Sequence, residues 1–196
     1  MVLFILEAVM KNIKLRRMLL AAMFLALGLL LPLLIGHMIP MGWTLLPMHI
    51  PVLLCGFICG PFWGLAVGVI TPLLNSTITG MPALFPSAVA MAFELAAYGL
   101  LAGIFYRVLP KKIGFIYAAL ILAMLGGRLV WGGVSYVLFG FGETAFTWQA
   151  FLSGAVLMVW IGILIQIVLV PALMIALRKT KIVQEVSQNG NTGAVA

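Results

Sequence analysis

The run MLLAAMFLALGLLLPLLIG, residues 18–36, contains no charge and no alternation of polar with apolar side chains. A strand that crosses lipid has a watery face and alternates about every second residue. A run that is apolar all round has no such face, and in hydrocarbon its backbone groups must bond within one helix. As a helix it extends about 28 Å, close to the hydrocarbon thickness of a bilayer. The run reads as a membrane-spanning helix, and the chain around it is of the same kind.

Of the 196 residues 65% are hydrophobic and 8% charged, with a mean hydropathy of +1.27, against roughly half apolar and a quarter charged in soluble domains. A small soluble monomer is excluded. At about 20 residues per span, the apolar residues furnish six spans with no room for a separate soluble domain. The spans are expected over 15–36, 43–60, 64–79, 87–106, 113–136 and 150–177. The fold class is therefore all-α, a polytopic membrane protein of six transmembrane helices. A cytoplasmic or interfacial segment, 1–14, precedes the membrane domain, 15–178. A polar, small-residue tail, 179–196, follows it and reads as disordered.

Charge sets the expected orientation. The chain has 11 Lys and Arg against 4 acidic residues, a net charge of +7. Ten of the basic residues fall in three clusters: Lys11, Lys14, Arg16 and Arg17; Arg107, Lys111 and Lys112; Arg178, Lys179 and Lys181. Short basic segments stay in the cytoplasm and meet anionic lipid, so nucleic acid is not the partner this charge implies. The first two clusters share a side only if an even number of spans lies between them. One span over 43–79 gives an odd number, whereas a hairpin turning at Gly60-Pro61-Phe62-Trp63 makes it even. Both termini are then cytoplasmic, and the external connections are 37–42, 80–86 and 137–149.

The eleventh basic residue is Arg128, inside the fifth span. Arginine at bilayer depth costs at least about 2.5 kcal/mol, so it must face the interior and find an anionic or dipolar partner. Glu94, in the fourth span, is the one acidic residue within any span. At 1.5 Å per residue both lie about 10–12 Å in from the external side. They fit a structural ion pair or a contact to a polar solute, and Arg128 suits a carboxylate bidentately.

Thr71, Asn75, Ser76, Thr77, Ser135, Ser153 and Gln166 are the other polar groups at depth. Hydroxyls on membrane helices bond back to their own backbone, but the Asn75 amide needs several partners. Trp43, Trp131, Tyr136, Phe146 and Trp148 gather on the external side, as an interfacial belt or as walls for a solute. His37 and His49 flank the first external connection, as anchors or ligands. Cys55 and Cys59 read as small core residues, and with no acidic or Cys cluster joining the histidines, no metal is expected. Ala22 and Ala26 share one face of the first span, and Gly56, Gly60, Gly64 and Gly68 recur every fourth residue, both patterns allowing close helix approach. No G-x-x-x-x-G-K-[ST] occurs, so ATP consumed by this protein's work is hydrolysed by another chain.

From about Lys14 to Lys181 the chain resembles the substrate-binding S components of energy-coupling factor (ECF) vitamin transporters. The likeness rests on six helices with both ends inside, on Ala22-x-x-x-Ala26, and on MHIPVLLCGFICGP, GVITPLLNSTITGMPALFPSAVAMAFELAAYGLLAG and GRLVWGG. Within that family the segments look most like the pantothenate branch. The resemblance implies a bacterial plasma-membrane subunit, not an enzyme, that captures a water-soluble vitamin from outside in a cavity in the outer half of the bundle. It implies as partners a transmembrane coupling protein, faced by Ala22 and Ala26, and two cytoplasmic ATPases that drive toppling of the subunit. The chain itself would hold no cofactor, ATP being used by the partners. A pantothenate site would take Arg128 for the carboxylate, Asn75 and Glu94 for the amide and hydroxyls, and Trp131 as an apolar wall, with His49 a further contact. Pyridoxine or niacin as the vitamin, a self-sufficient secondary carrier, and an intramembrane enzyme using Glu94 are the competing expectations.

Overall fold

The computed structural model describes residues 12–38, 45–110, 112–140, 152–154 and 159–180. Most of the expected segments 1–14 and 179–196, and parts of the connections 37–42 and 137–149, lie outside the described residues. Every regular element among those described is helical: α1 (Ile13–Met38), α2 (His49–Cys59), α3 (Pro61–Thr79), a wide turn (Leu84–Ala88) leading into α4 (Val89–Val108), α5 (Ile113–Gly140) and α6 (Trp160–Leu177). Five are long and apolar enough to cross a membrane, α4 being counted with its leading turn, and α2 is a shorter apolar helix.

Boundaries differ from expectation at α2, which begins at His49 where the span was expected from 43, and at α5. The fifth helix continues to Gly140 rather than ending at Tyr136, because Val137, Leu138 and Phe139 prolong its apolar run. α6 is described from Trp160, and its expected start at Ala150 lies outside the described residues. Pro171 interrupts neither the path nor the burial of α6.

The hairpin between α2 and α3 is reached through one residue. Gly60 ends α2 and starts α3 at φ 101°, ψ 174°, a backbone region essentially closed to other residues, and Pro61 occupies the first helical turn, where a missing N–H costs nothing. Chain direction follows from the packing. Pro61 lies against Gly103, Gly64 against Gly99 and Gly68 against Leu95, so α3 and α4 are antiparallel. His49 lies beside Glu94 and Phe57 stacks edge-on to Tyr106 at 5.4 Å, so α2 and α4 are parallel and the chain reverses at Gly60.

The glycine repeat serves this packing. A Cβ on Gly56, Gly64 or Gly99 would run into the backbone of the facing helix, so three helices meet at backbone contact, as small residues permit in lipid. On α1, Ala21, Phe24 and Gly28 face the bundle, Gly28 against Thr71. Leu19, Ala22, Met23, Ala26, Leu27 and Leu30 face outward.

Basic side chains gather at one end. Arg178 Nε donates to Tyr106 Oη at 2.8 Å, the Arg107 guanidinium lies over Gly60, and the Arg17 and Arg107 charges are in range of each other. Lys112 opens α5 at the same end.

Candidate functional site

α2 is 11 residues long, about 16 Å, so His49 at its start stands roughly halfway across the bundle. All its residues are buried. Its first turn has no side-chain cap, which leaves the positive end of its dipole inside the protein. The residues facing that end carry the site.

Glu94, on α4, is the centre. Its Oε1 lies 2.9 Å from Arg128 Nη1 on α5 and 3.8 Å from His49 Nε2. The first contact is an ion pair, and the second is too long for a hydrogen bond. Glu94 and His49 are fully enclosed, and Arg128 is 12% exposed. Tyr98, one turn below Glu94, stacks edge-on to His49 at 5.3 Å and directs its hydroxyl toward Glu94 without completing a hydrogen bond.

The cluster is under-bonded. Arg128 Nε and Nη2, both ring nitrogens of His49, Glu94 Oε1 and the Tyr98 hydroxyl are buried without hydrogen-bond partners. Buried polar groups are bonded in the large majority of cases, and each exception carries a penalty of about 1–3 kcal/mol. Nε and Nη2 form one planar edge of the guanidinium, the fork that takes a carboxylate with two parallel hydrogen bonds. Glu94 neutralises Arg128 through Nη1 and leaves this edge open.

Beside His49 is an apolar cavity of about 460 Å³, lined by Leu46, Pro47, Met48, Met81, Pro82, Ala83 and Met91 together with His49. His49 is the one ionisable side chain in that lining and joins the cavity to the charged cluster. The volume is in the range of small-molecule pockets, which are mostly apolar with a few oriented polar groups.

Asn75 and Ser76 lie behind the cavity wall and bond to the strap that forms it. Asn75 Nδ2 donates to Met81 O at 3.2 Å, Ser76 Oγ to Pro82 O at 2.7 Å and Thr79 Oγ1 to Met81 O at 2.9 Å. The end of α3 therefore holds the strap 80–83 in place over the cavity. Thr71 and Thr77 bond back to Val67 O and Leu74 O, the local role expected of hydroxyls on membrane helices.

Of the sequence candidates, then, His49, Glu94 and Arg128 are brought into one cluster. Asn75 reaches the cavity through the strap it holds. Trp131, one turn above Arg128 on α5, has its ring against Gly154. Ala22 and Ala26 are not part of this cluster and lie exposed on the outward face of α1. Tyr98 was not singled out by sequence; its place four residues after Glu94 puts it on the same helix face, a signal that was present.

The family described as ECF transporter, substrate-specific component matches residues 16–176. No curated protein and no solved structure matches the chain.

Proposed function

Since the chain belongs to the family of ECF transporter substrate-specific components, a family of transporter subunits and not of enzymes, we propose that it captures a carboxylate-bearing vitamin, pantothenate, in the outer half of its bundle. The observation that carries this reading is the open Nε–Nη2 edge of Arg128, buried beside Glu94. The uncapped start of α2 adds positive potential at the same depth. Met48, Met81 and Met91 supply an adaptable apolar surface for the body of the solute. Glu94, held by Arg128, remains available to accept from a hydroxyl or amide.

In this reading the chain crosses the bacterial plasma membrane six times, α2 with the residues before it making the second crossing, and both termini are cytoplasmic. The gathering of Arg17, Arg107, Lys112 and Arg178 at one end supports that orientation. The partners are a transmembrane coupling protein, meeting Ala22 and Ala26, and two cytoplasmic ATPases; ATP is used by them and no cofactor by this chain.

Mass spectrometry of small molecules released from the detergent-purified protein tests the substrate: pantothenate is expected. Release of pyridoxine or niacin instead would replace the substrate and keep the family role. Uptake into vesicles by this chain alone, without ATP, would replace the reading by that of a secondary carrier.

A further inference from the structure

Resting on the reading of Arg128 as the carboxylate anchor, we infer that Gln166, level with Arg128, and Ser135, further along α5, are two neutral recognition points of the same site, binding the amide and hydroxyl groups of the solute. Three observations lead there. Gln166 is completely enclosed, yet neither its Oε1 nor its Nε2 has a hydrogen-bond partner, and the enclosed Ser135 hydroxyl has none either. These are neutral groups, so no ion pair accounts for them. An amide that offers two donors and an acceptor and meets none in the protein is bonded by something else.

Their placement is the second observation. Gln166 precedes Arg178 by twelve residues, as Glu94 precedes Tyr106 by twelve, about 18 Å along each helix. Arg178 and Tyr106 are hydrogen-bonded to each other, which brings Gln166 to the depth of Glu94. The buried face of α6, Gly162, Gln166, Val170 and Met174, packs against α2 and α5, the helices that carry His49 and Arg128. Gln166 thus faces the same interior from the remaining side.

The third is the register of α5. Arg128, Trp131 and Ser135 are spaced i, i+3 and i+7 and share one stripe, with Ser135 about 10 Å beyond Arg128 toward the α5 end that precedes 141–151. A solute whose carboxylate sits in the Arg128 fork meets Gln166 near that depth and, running past Trp131, presents a further neutral group to Ser135. The class this selects is a carboxylic acid with an amide or hydroxyl a few bonds away, in preference to an apolar carboxylic acid of equal length.

The test is titration of pantothenate and of hexanoate, an apolar carboxylate, onto wild type, Gln166→Leu and Ser135→Ala in detergent, together with ligand-free melting temperatures. Expected are a loss of at least about tenfold in pantothenate affinity for Gln166→Leu, a smaller loss for Ser135→Ala, and weak hexanoate binding that changes by less than about threefold. The ligand-free melting temperature of Gln166→Leu should equal or exceed wild type, since an unbonded buried amide is removed. A lower ligand-free melting temperature would show that the amide has protein partners and overturn the inference, as would unchanged pantothenate affinity. Should wild type bind pyridoxine and not pantothenate, the carboxylate reading falls by itself. Gln166 and Ser135 are then judged by the same variants with pyridoxine, whose hydroxyls must lose about tenfold in affinity on Gln166→Leu; an unchanged value overturns the inference.

Discussion

Glu94 and Arg128 each carry a charge into a region that penalises it, and each is tolerable because the other lies 2.9 Å away. Removing one partner of a buried pair strands the other, at a cost of about 3–5 kcal/mol, whereas replacing both with apolar residues is close to neutral. Arg128→Leu is therefore expected to lower the detergent melting temperature sharply. Glu94→Leu combined with Arg128→Leu should recover most of it and still fail to bind pantothenate by calorimetry, separating the structural from the ligand role. Gly60→Ala should cost about 1–3 kcal/mol, measured by thermal unfolding, because it forces a side chain onto φ 101° and against Arg107. The charged pair was legible in sequence, since few charges lie within the spans and hydrocarbon leaves a lone one no solvent. Tyr98 and Gln166 were not: an aromatic or amide in a membrane helix usually has a local or interfacial explanation, and the lack of partners shows only after folding.

At the scale of elements, α2 and the strap 80–83 shape the pocket. Asn75 looked like a solute contact because a buried amide demands partners; the structure gives its Nδ2 to Met81 O, a carbonyl six residues on in sequence. Asn75→Ala should then act on the strap, costing about 1 kcal/mol and raising the solute off-rate about fivefold in a stopped-flow chase, with a smaller effect on the on-rate. The α3–α4 contact is tighter than any side chain allows. Gly99→Ala puts a Cβ into the backbone at Gly64 and should lower stability by about 1–3 kcal/mol, read by thermal unfolding. The fourfold glycine spacing was visible in sequence as a packing device. Which helix it would meet was not, because the spacing fixes a face and leaves the facing element open.

For the whole molecule, the bundle separates its surfaces by task. One end collects basic side chains, the interior opposite holds the under-bonded cluster, and the outward face of α1 presents Ala22 and Ala26 among exposed leucines and methionines. Ala22→Trp with Ala26→Trp should leave pantothenate affinity within about twofold, as for distant independent sites. The same variant should abolish ATP-driven uptake in vesicles that also contain the coupling protein and ATPases. Loss of solute binding instead would place these alanines in the fold's own packing.

Composition and the distribution of a few charges determined the class, the number of apolar segments, the turn at Gly60 and the two charged residues of the interior. These are properties that lipid imposes on any chain, because hydrocarbon excludes unpaired backbone and unpaired charge wherever they fall. The tertiary structure alone decided that His49 joins Glu94 and Arg128, that Asn75 holds the strap, and that Arg128, Ser135 and Gln166 keep bonds in reserve. Each of these depends on which helices come to lie side by side, and helix neighbours are chosen by contacts between residues far apart in the chain.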